Sequence, residues 1–247
     1  IDDFNMPVSQ SRVVNYGFEA SGESISVKLD GNVGTDQNPI LSGFSLEIKP
    51  NSLSNLTVTA GTISSSTDIS VNNTIQITNS SGESTIGGVL KDATSFVKSG
   101  TGTLTLTNNN TFSGSTTISD GTLVLKNDAP NPTNKSFTGS GTLHIIPTST
   151  SFSSSFSNAN WSFGTSLSGL TIGKSSNTAN ITIASAISIA GPISIYGEDI
   201  TLSANLSSTL SEADVLLKAS EHITFSSGKS VVSNGGDIIS WTDSDVD

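Results

Sequence analysis

The sequence has no cysteine among its 247 residues, and this absence excludes several kinds of site. A disulfide framework, a thiol nucleophile and every cysteine-ligated zinc or iron–sulfur centre need that residue. Charged residues are scarce as well, at 13% of the chain, which is about half of ordinary usage. Long helices expose surfaces built from Glu, Lys, Arg and Gln, so this scarcity argues against a protein made of long helices.

Positive charge is the scarcest kind. Nine lysines and one arginine, Arg12, stand against 21 acidic residues, and the formal net charge is -11. Nucleic-acid binding and attraction to an anionic membrane both require a basic surface. The sequence therefore predicts no nucleic-acid partner and no binding to a membrane surface. Apolar runs are also short, and none approaches the ~18 residues of a transmembrane helix.

Short repeats give the strongest structural signal. Gly102-Thr-Leu-Thr-Leu106 recurs as Gly-Thr-Leu-Val-Leu at 121–125 and as Gly-Thr-Leu-His-Ile at 141–145, so the offsets are 19 and 20 residues. Farther along, Asp199-Ile-Thr-Leu202 is echoed at 222–225, an offset of 23. A nearly fixed period made of short strands is typical of a solenoid.

Each repeated strand alternates apolar and small polar residues. Leu104 and Leu106 are predicted to point inward, while Thr103 and Thr105 point outward. Stacked coils can bury such a face, because each strand bonds to the equivalent strand of the next coil. The predicted fold class is therefore all-β: a single-stranded parallel β-helix with coils of about 19–23 residues, which gives roughly a dozen coils.

The domain prediction follows from this pattern. Residues 1–247 are expected to form one β-helix domain, a fragment of a longer chain, because neither end has an obvious cap. Residues 1–30 are either a cap or part of a coil. Residues 147–168 have a weak coil pattern and are expected to protrude as a loop.

Four aromatic residues in that Ser-rich stretch are the candidate ligand contacts: Phe152, Phe156, Trp161 and Phe163. On an exposed loop they would stack on sugar rings or anchor a partner. The alternative is that they pack back against the side of the solenoid, and the sequence leaves both readings open.

One stretch of the chain resembles a known family. Lys98-Ser-Gly100-Thr-Gly102-Thr-Leu-Thr-Leu106, then Asn110-Thr-Phe112-Ser-Gly114, Thr117-Ile118 and Gly121-Thr-Leu-Val-Leu125, is similar to the passenger-associated repeat of bacterial autotransporters. More diffusely, Gly235-Gly-Asp-Ile-Ile-Ser-Trp241 resembles filamentous-haemagglutinin-type exoproteins.

The resemblance implies a right-handed β-helix that is secreted or displayed at the bacterial cell surface, associated with the outer membrane. It also implies a role in cell adhesion and virulence, with an extracellular glycan or a host or neighbouring cell as partner. The translocator of the parent chain is expected outside this fragment. Catalysis is not implied, because such passengers vary widely. Uncapped ends also predict end-to-end self-association, since free strand edges pair readily.

The main alternative is a carbohydrate-active enzyme on the same scaffold, which needs clustered carboxylates. Glu198 and Asp199 share a turn, and Asp214 and Glu221 follow about one coil later, so an acidic patch can form there. We favour the alternative that these acidic residues lie in turns, where their carboxylates accept hydrogen bonds from backbone N–H groups. No catalytic residue and no enzymatic activity are predicted.

The remaining candidates are two histidines, an acidic tail and rows of threonine. Neither His144 nor His222 has a sequence-adjacent partner suited to a catalytic triad, and both are predicted to be surface residues. Asp243, Asp245 and Asp247 could bind Ca²⁺, but a solvated tail is favoured, so no cofactor and no metal site are predicted. A second alternative is an ice-binding or matrix-forming solenoid, which needs a regular outward array of threonine; the candidate pairs are Thr57/Thr59, Thr103/Thr105 and Thr116/Thr117.

Overall fold

The chain forms a β-solenoid of about nine turns. The computed structural model describes residues 24–28, 40–42, 54–66, 68–130 and 135–242. In these residues the regular structure consists of 26 β-strands without a helix, and the paired strands run parallel. The predicted fold class is confirmed. The sequence-based figure of a dozen coils also counts N-terminal residues that lie outside the described ranges, including most of 1–30.

Five sheets run along the solenoid, and each takes one strand from successive coils. Sheet A contains β1 (Ser24–Lys28), β3 (Asn55–Ala60), β6 (Thr74–Asn79), β9 (Ser95–Ser99), β11 (Ser115–Ile118), β13 (Lys135–Gly139) and β16 (Trp161–Phe163). Sheet B contains β2 (Ile40–Ser42), β4 (Thr62–Ser65), β7 (Glu83–Ile86), β10 (Thr103–Thr107), β12 (Thr122–Lys126), β14 (Thr142–Ile146), β17 (Gly169–Ile172), β20 (Ile193–Gly197), β23 (Val215–Ala219) and β26 (Ile238–Thr242).

The other three sheets are shorter. Sheet C pairs β5 (Ile69–Ser70) with β8 (Leu90–Lys91). Sheet D contains β15 (Phe156–Ser157), β18 (Ile181–Ile183), β21 (Ile200–Leu202) and β24 (Ile223–Phe225). Sheet E contains β19 (Ile187–Ile189), β22 (Leu206–Ser211) and β25 (Val231–Asn234).

The strand register confirms the repeats seen in the sequence. Leu104 pairs with Leu123, and Leu123 pairs with Leu143, so the three leucines form one buried column. Burying one such side chain contributes roughly 1.5–3 kcal/mol. Because the side-chain period of a strand is two, a slip by one residue would turn the whole column toward solvent. The apolar columns therefore determine the register.

Buried asparagine side chains connect the turns of neighbouring coils. The Oδ1 atom of Asn177 accepts hydrogen bonds from the N–H of Phe152, at 3.0 Å, and from the hydroxyl of Ser151, at 2.9 Å. Its Nδ2 atom donates to the carbonyls of Tyr196, at 2.9 Å, and Ala179, at 3.1 Å. The amide thus pairs backbone groups in the turns, where the strand ladder is interrupted.

We expect Asn177→Ala to lower the free energy of unfolding by about 2 kcal/mol, because buried backbone groups lose their partners. Urea denaturation followed by circular dichroism measures this change. The matched control is Asn127→Ala, since the hydrogen bond that the Asn127 amide accepts among the described residues is a local one from the N–H of Ala129. Equal losses in the two variants would contradict the bridging role of Asn177.

The aromatic segment 147–168 belongs to the body of the solenoid. It supplies β15 and β16, and Phe152 and Phe156 are each 4% exposed, with ring centroids 5.8 Å apart. Of the two readings that the sequence leaves open, Phe152 and Phe156 follow the inward one, and the segment does not protrude as a loop. The physical reason is that these large rings bury more apolar area inside the coil than on a loop.

The last described coil has one side without a further strand. β24, β25 and β26 end their sheets, and several large apolar side chains there are exposed: Phe225, Val232, Ile238, Ile239 and Trp241. Lys218 lies over the Trp241 ring, with its Nζ atom 5.3 Å from the ring centroid. End-to-end self-association stays a prediction.

Candidate functional site: a groove across four coils

A shallow groove with a volume of about 580 Å³ crosses four successive coils at the starts of β11, β13, β16 and β19. Mostly small side chains occupy these positions, so nothing fills the space above the backbone. The lining residues are Ser113, Gly114, Ser115, Lys135, Ser136, Ala159, Asn160, Trp161, Ser162, Phe163, Ser185 and Ala186.

Two of the predicted contact residues, Trp161 and Phe163, line the groove. Both pack on Phe137, with centroid separations of 5.5 Å for Trp161 and 5.7 Å for Phe163. Trp161 is 5% exposed, whereas Phe163 is partly exposed. The indole Nε1 of Trp161 is buried and has no hydrogen-bond partner among the described residues. Such an orphaned donor is rare in native proteins.

Lys135 is the one charged residue among the described residues that line the groove. Its ammonium donates to the carbonyl of Phe112 at 3.0 Å and lies 4.5 Å from the centroid of the Phe112 ring. Burial lowers the pKa of Lys135. Within this described lining no carboxylate is present, so the groove offers hydroxyls, an amide and the partly exposed Phe163 ring but no acid pair for glycoside hydrolysis.

The histidines occupy different environments. His144 is half-buried in β14, pairs with Val124 and Thr171, and has its pKa lowered by burial. The side chain of His222 is 75% exposed, and its Nδ1 atom lies 3.1 Å from Oδ1 of Asp199. The prediction of a surface residue fits His222 better than His144.

The structure brings together part of the acidic patch considered from the sequence. Asp199 and Glu221 lie near each other together with His222, whereas Glu198 does not join this cluster. Asp214 instead accepts a hydrogen bond from the N–H of Asp237 at 2.8 Å. Sequence reasoning treated His222 as a surface residue and missed its place in this cluster, although the 23-residue offset places it at the position equivalent to Asp199.

The outward face of sheet B does not carry threonine from coil to coil. In sheet A, Thr116, which the sequence suggested as an outward residue, is 1% exposed, so its side chain points inward. The central outward row reads Thr85, Thr105, Val124, His144, Thr171 and Ser194. This mixture gives no regular hydroxyl lattice in the described part of sheet B.

Two further sequence-based points concern ions and membranes. Asp243, Asp245 and Asp247 lie outside the described residues. In the described ranges, no helix has the length and apolar character needed to cross a membrane.

Comparison with known families identifies one segment. Residues 96–125 match the family model described as Passenger-associated-transport-repeat. This segment is similar to passenger-associated transport repeats. Together with the β-solenoid, the repeat fits an autotransporter passenger domain. The search of curated proteins and the search of solved structures found no match to the chain.

The signature residues of the passenger repeat make contacts within and between coils. Lys98 is fully buried, and its ammonium donates to the carbonyls of Ser99, Gly100 and Asp120. Burial lowers the pKa of Lys98 to about 8, although the Asp120 carboxylate opposes this shift.

Asn110 and Phe112 of the repeat also pack inward. The Oδ1 atom of Asn110 accepts a bond from the N–H of Leu90 at 2.9 Å, one coil earlier. The Phe112 ring stacks on Phe96 with a centroid separation of 5.4 Å. The passenger repeat and the solenoid fold thus indicate a structural role.

Proposed function

We propose that this chain is a segment of a secreted or surface-displayed bacterial passenger that acts as a stiff stalk and adheres to neutral extracellular glycans through the groove. The observation that carries the adhesive part is the groove lining, where serine hydroxyls and the Asn160 side chain lie beside Trp161 and Phe163. Polar groups of this kind, placed beside aromatic side chains, orient and hold a ligand. The passenger repeat supports secretion or outer-surface display.

Binding is a better proposal than hydrolysis. Glycoside hydrolysis needs two carboxyl groups on opposite sides of the scissile bond, and the charged group beside this groove is the buried ammonium of Lys135. A glycan can be bound by hydroxyl groups and an aromatic ring without an acidic or basic catalytic residue. A neutral glycan also suits the chain better than an acidic one, because the net charge of -11 repels anions.

The groove can be blocked without touching the core. Ser162 is an exposed outward residue of β16 in the middle of the groove, so Ser162→Tyr should fill it and weaken glycan binding at least about tenfold. A glycan array and titration of each positive glycan measure the effect. The matched control is Ser194→Tyr, an outward position in β20 of sheet B.

Each result has a distinct meaning. Binding lost in Ser162→Tyr and kept in Ser194→Tyr supports the groove. Equal binding by both variants would move the adhesive site elsewhere, and no binding to any glycan would leave only the stalk function. Cleavage of a bound glycan during incubation would favour the carbohydrate-active enzyme instead.

A further inference from the structure

Three side chains that are typical metal ligands meet at one corner of the last coils. One ligand atom each of Asp199, Glu221 and His222 lies within 4.8 Å of the others. Nδ1 of His222 is 3.1 Å from Oδ1 of Asp199 and 3.8 Å from Oε2 of Glu221. This corner is separate from the groove, whose lining residues end at Ala186.

The backbone around the cluster is held by the solenoid. Ile200 pairs with Ile223, so the preceding residues, Asp199 and His222, lie one above the other in adjacent coils. The N–H of Ile200 donates to the carbonyl of His222 at 2.8 Å. The N–H of Glu221 donates to the carbonyl of Glu198 at 2.9 Å. The ligand positions are therefore preorganised by strand pairing, which lowers the entropy cost of assembling a site.

The spacing suits one bound ion. Ligand atoms that each lie about 2.1 Å from a metal are about 3.0 to 3.4 Å apart at octahedral or tetrahedral angles. The 3.1 and 3.8 Å separations in the cluster are close to these values, so small side-chain rotations suffice. Among the described residues, no lysine or arginine forms an ion pair with either carboxylate, which leaves their charge available to a cation.

We infer that Asp199, Glu221 and His222 bind one divalent transition-metal ion of the zinc type. An imidazole combined with two carboxylates favours such an ion over calcium, which prefers a shell of oxygen ligands only. The bound ion links the coil of β21 to the coil of β24, which is the last strand of sheet D among the described residues. Its open coordination positions face solvent, because the His222 side chain is mostly exposed.

Isothermal titration of the full chain, free of any polyhistidine tag, with zinc chloride and separately with calcium chloride tests this site. One zinc ion per chain is expected, together with a rise in melting temperature as zinc is added. His222→Gln should weaken zinc binding at least tenfold, and Asp199→Asn should weaken it as well. The matched controls Glu198→Gln and His144→Gln remove an adjacent acid and the other histidine, and both should bind zinc like the wild type.

The exposed position of His222 means that His222→Gln is expected to fold normally, which circular dichroism verifies. Unchanged zinc affinity in a folded His222→Gln variant overturns the site. So does the absence of both a heat signal and a melting shift at millimolar zinc. Calcium binding as tight as zinc binding overturns the assignment too, because the imidazole would then contribute nothing.

Discussion

Replacing Gly114 with alanine is expected to prevent folding or to lower the free energy of unfolding by about 3 kcal/mol or more. A Cβ atom at Gly114 would overlap the carbonyl group of Thr94 in the preceding coil and lie 2.7 Å from the amide nitrogen of Ser95. Both obstacles are backbone atoms in the stacking ladder, so no side-chain rotation relieves the overlap. The coils would have to separate at this point, and the Ser95–Ser115 pairing would be lost.

Urea denaturation, followed by circular dichroism, measures this effect. The matched control is Gly228→Ala, because Gly228 has a φ of +72° but a Cβ atom there meets nothing within 4 Å. That variant should lose only about 1 to 2 kcal/mol, the cost of the left-handed conformation for a residue with a side chain. Near-wild-type stability of Gly114→Ala would show that the coils tolerate a wider separation than the structure has.

The second large effect concerns the pH dependence that Lys98 gives to stability. Burial lowers the pKa of Lys98 to about 8, compared with 10.5 for an ordinary lysine. Below pH 8 the side chain is charged in both the folded and unfolded states, and the folded state carries the full cost of burying that charge. Above pH 10.5 it is neutral in both states, and the cost is gone.

The contribution of Lys98 to stability should therefore rise by up to about 3 kcal/mol between these two pH values, at 1.36 kcal/mol per pKa unit. The measurement is the free energy of unfolding across this range for the wild type and for Lys98→Met, which removes the titrating amine and keeps much of the volume. The difference between the two proteins isolates Lys98, since other titrating groups are common to both.

Lys126→Met is the matched control for this comparison, because Lys126 is a partly exposed residue of β12. It should keep the rise that the wild type shows. A Lys98→Met variant with the same pH profile as the wild type would mean that the Lys98 amine is hydrated in the folded protein.

The repeated Gly-Thr-Leu units are enough to predict the fold class and the register of sheet B. They work because Leu104, Leu123 and Leu143 recur at offsets that equal one coil, and alternation then fixes which residues point inward. The same reasoning fails for Thr116, because two adjacent threonines give no alternation to follow. It also fails for Phe152 and Phe156, since serine and large aromatic residues in irregular order suit a loop and a coil equally well.

The candidate sites depend on contacts between coils, which a local reading of the sequence does not supply. The groove forms because small residues occupy equivalent positions in four successive coils. Those positions can be recognised as equivalent only when the strand register is known. The 23-residue offset between Asp199 and His222 predicts that these two residues lie at equivalent positions of adjacent coils. Glu221 joins them only because the turn before β24 directs its carboxylate toward the imidazole.

The stacking of equivalent residues in columns makes the folded chain a one-dimensional array in thermodynamic terms. In a globular protein, one shared core distributes a local destabilisation over the whole domain. In this solenoid, each coil is stabilised only by its contacts with its two neighbours. A coil that cannot form thus divides the rod into two shorter arrays, each with a new open end. The damage done by a lesion accordingly depends on its position along the rod, and it is greatest near the middle, where neither remaining array is long.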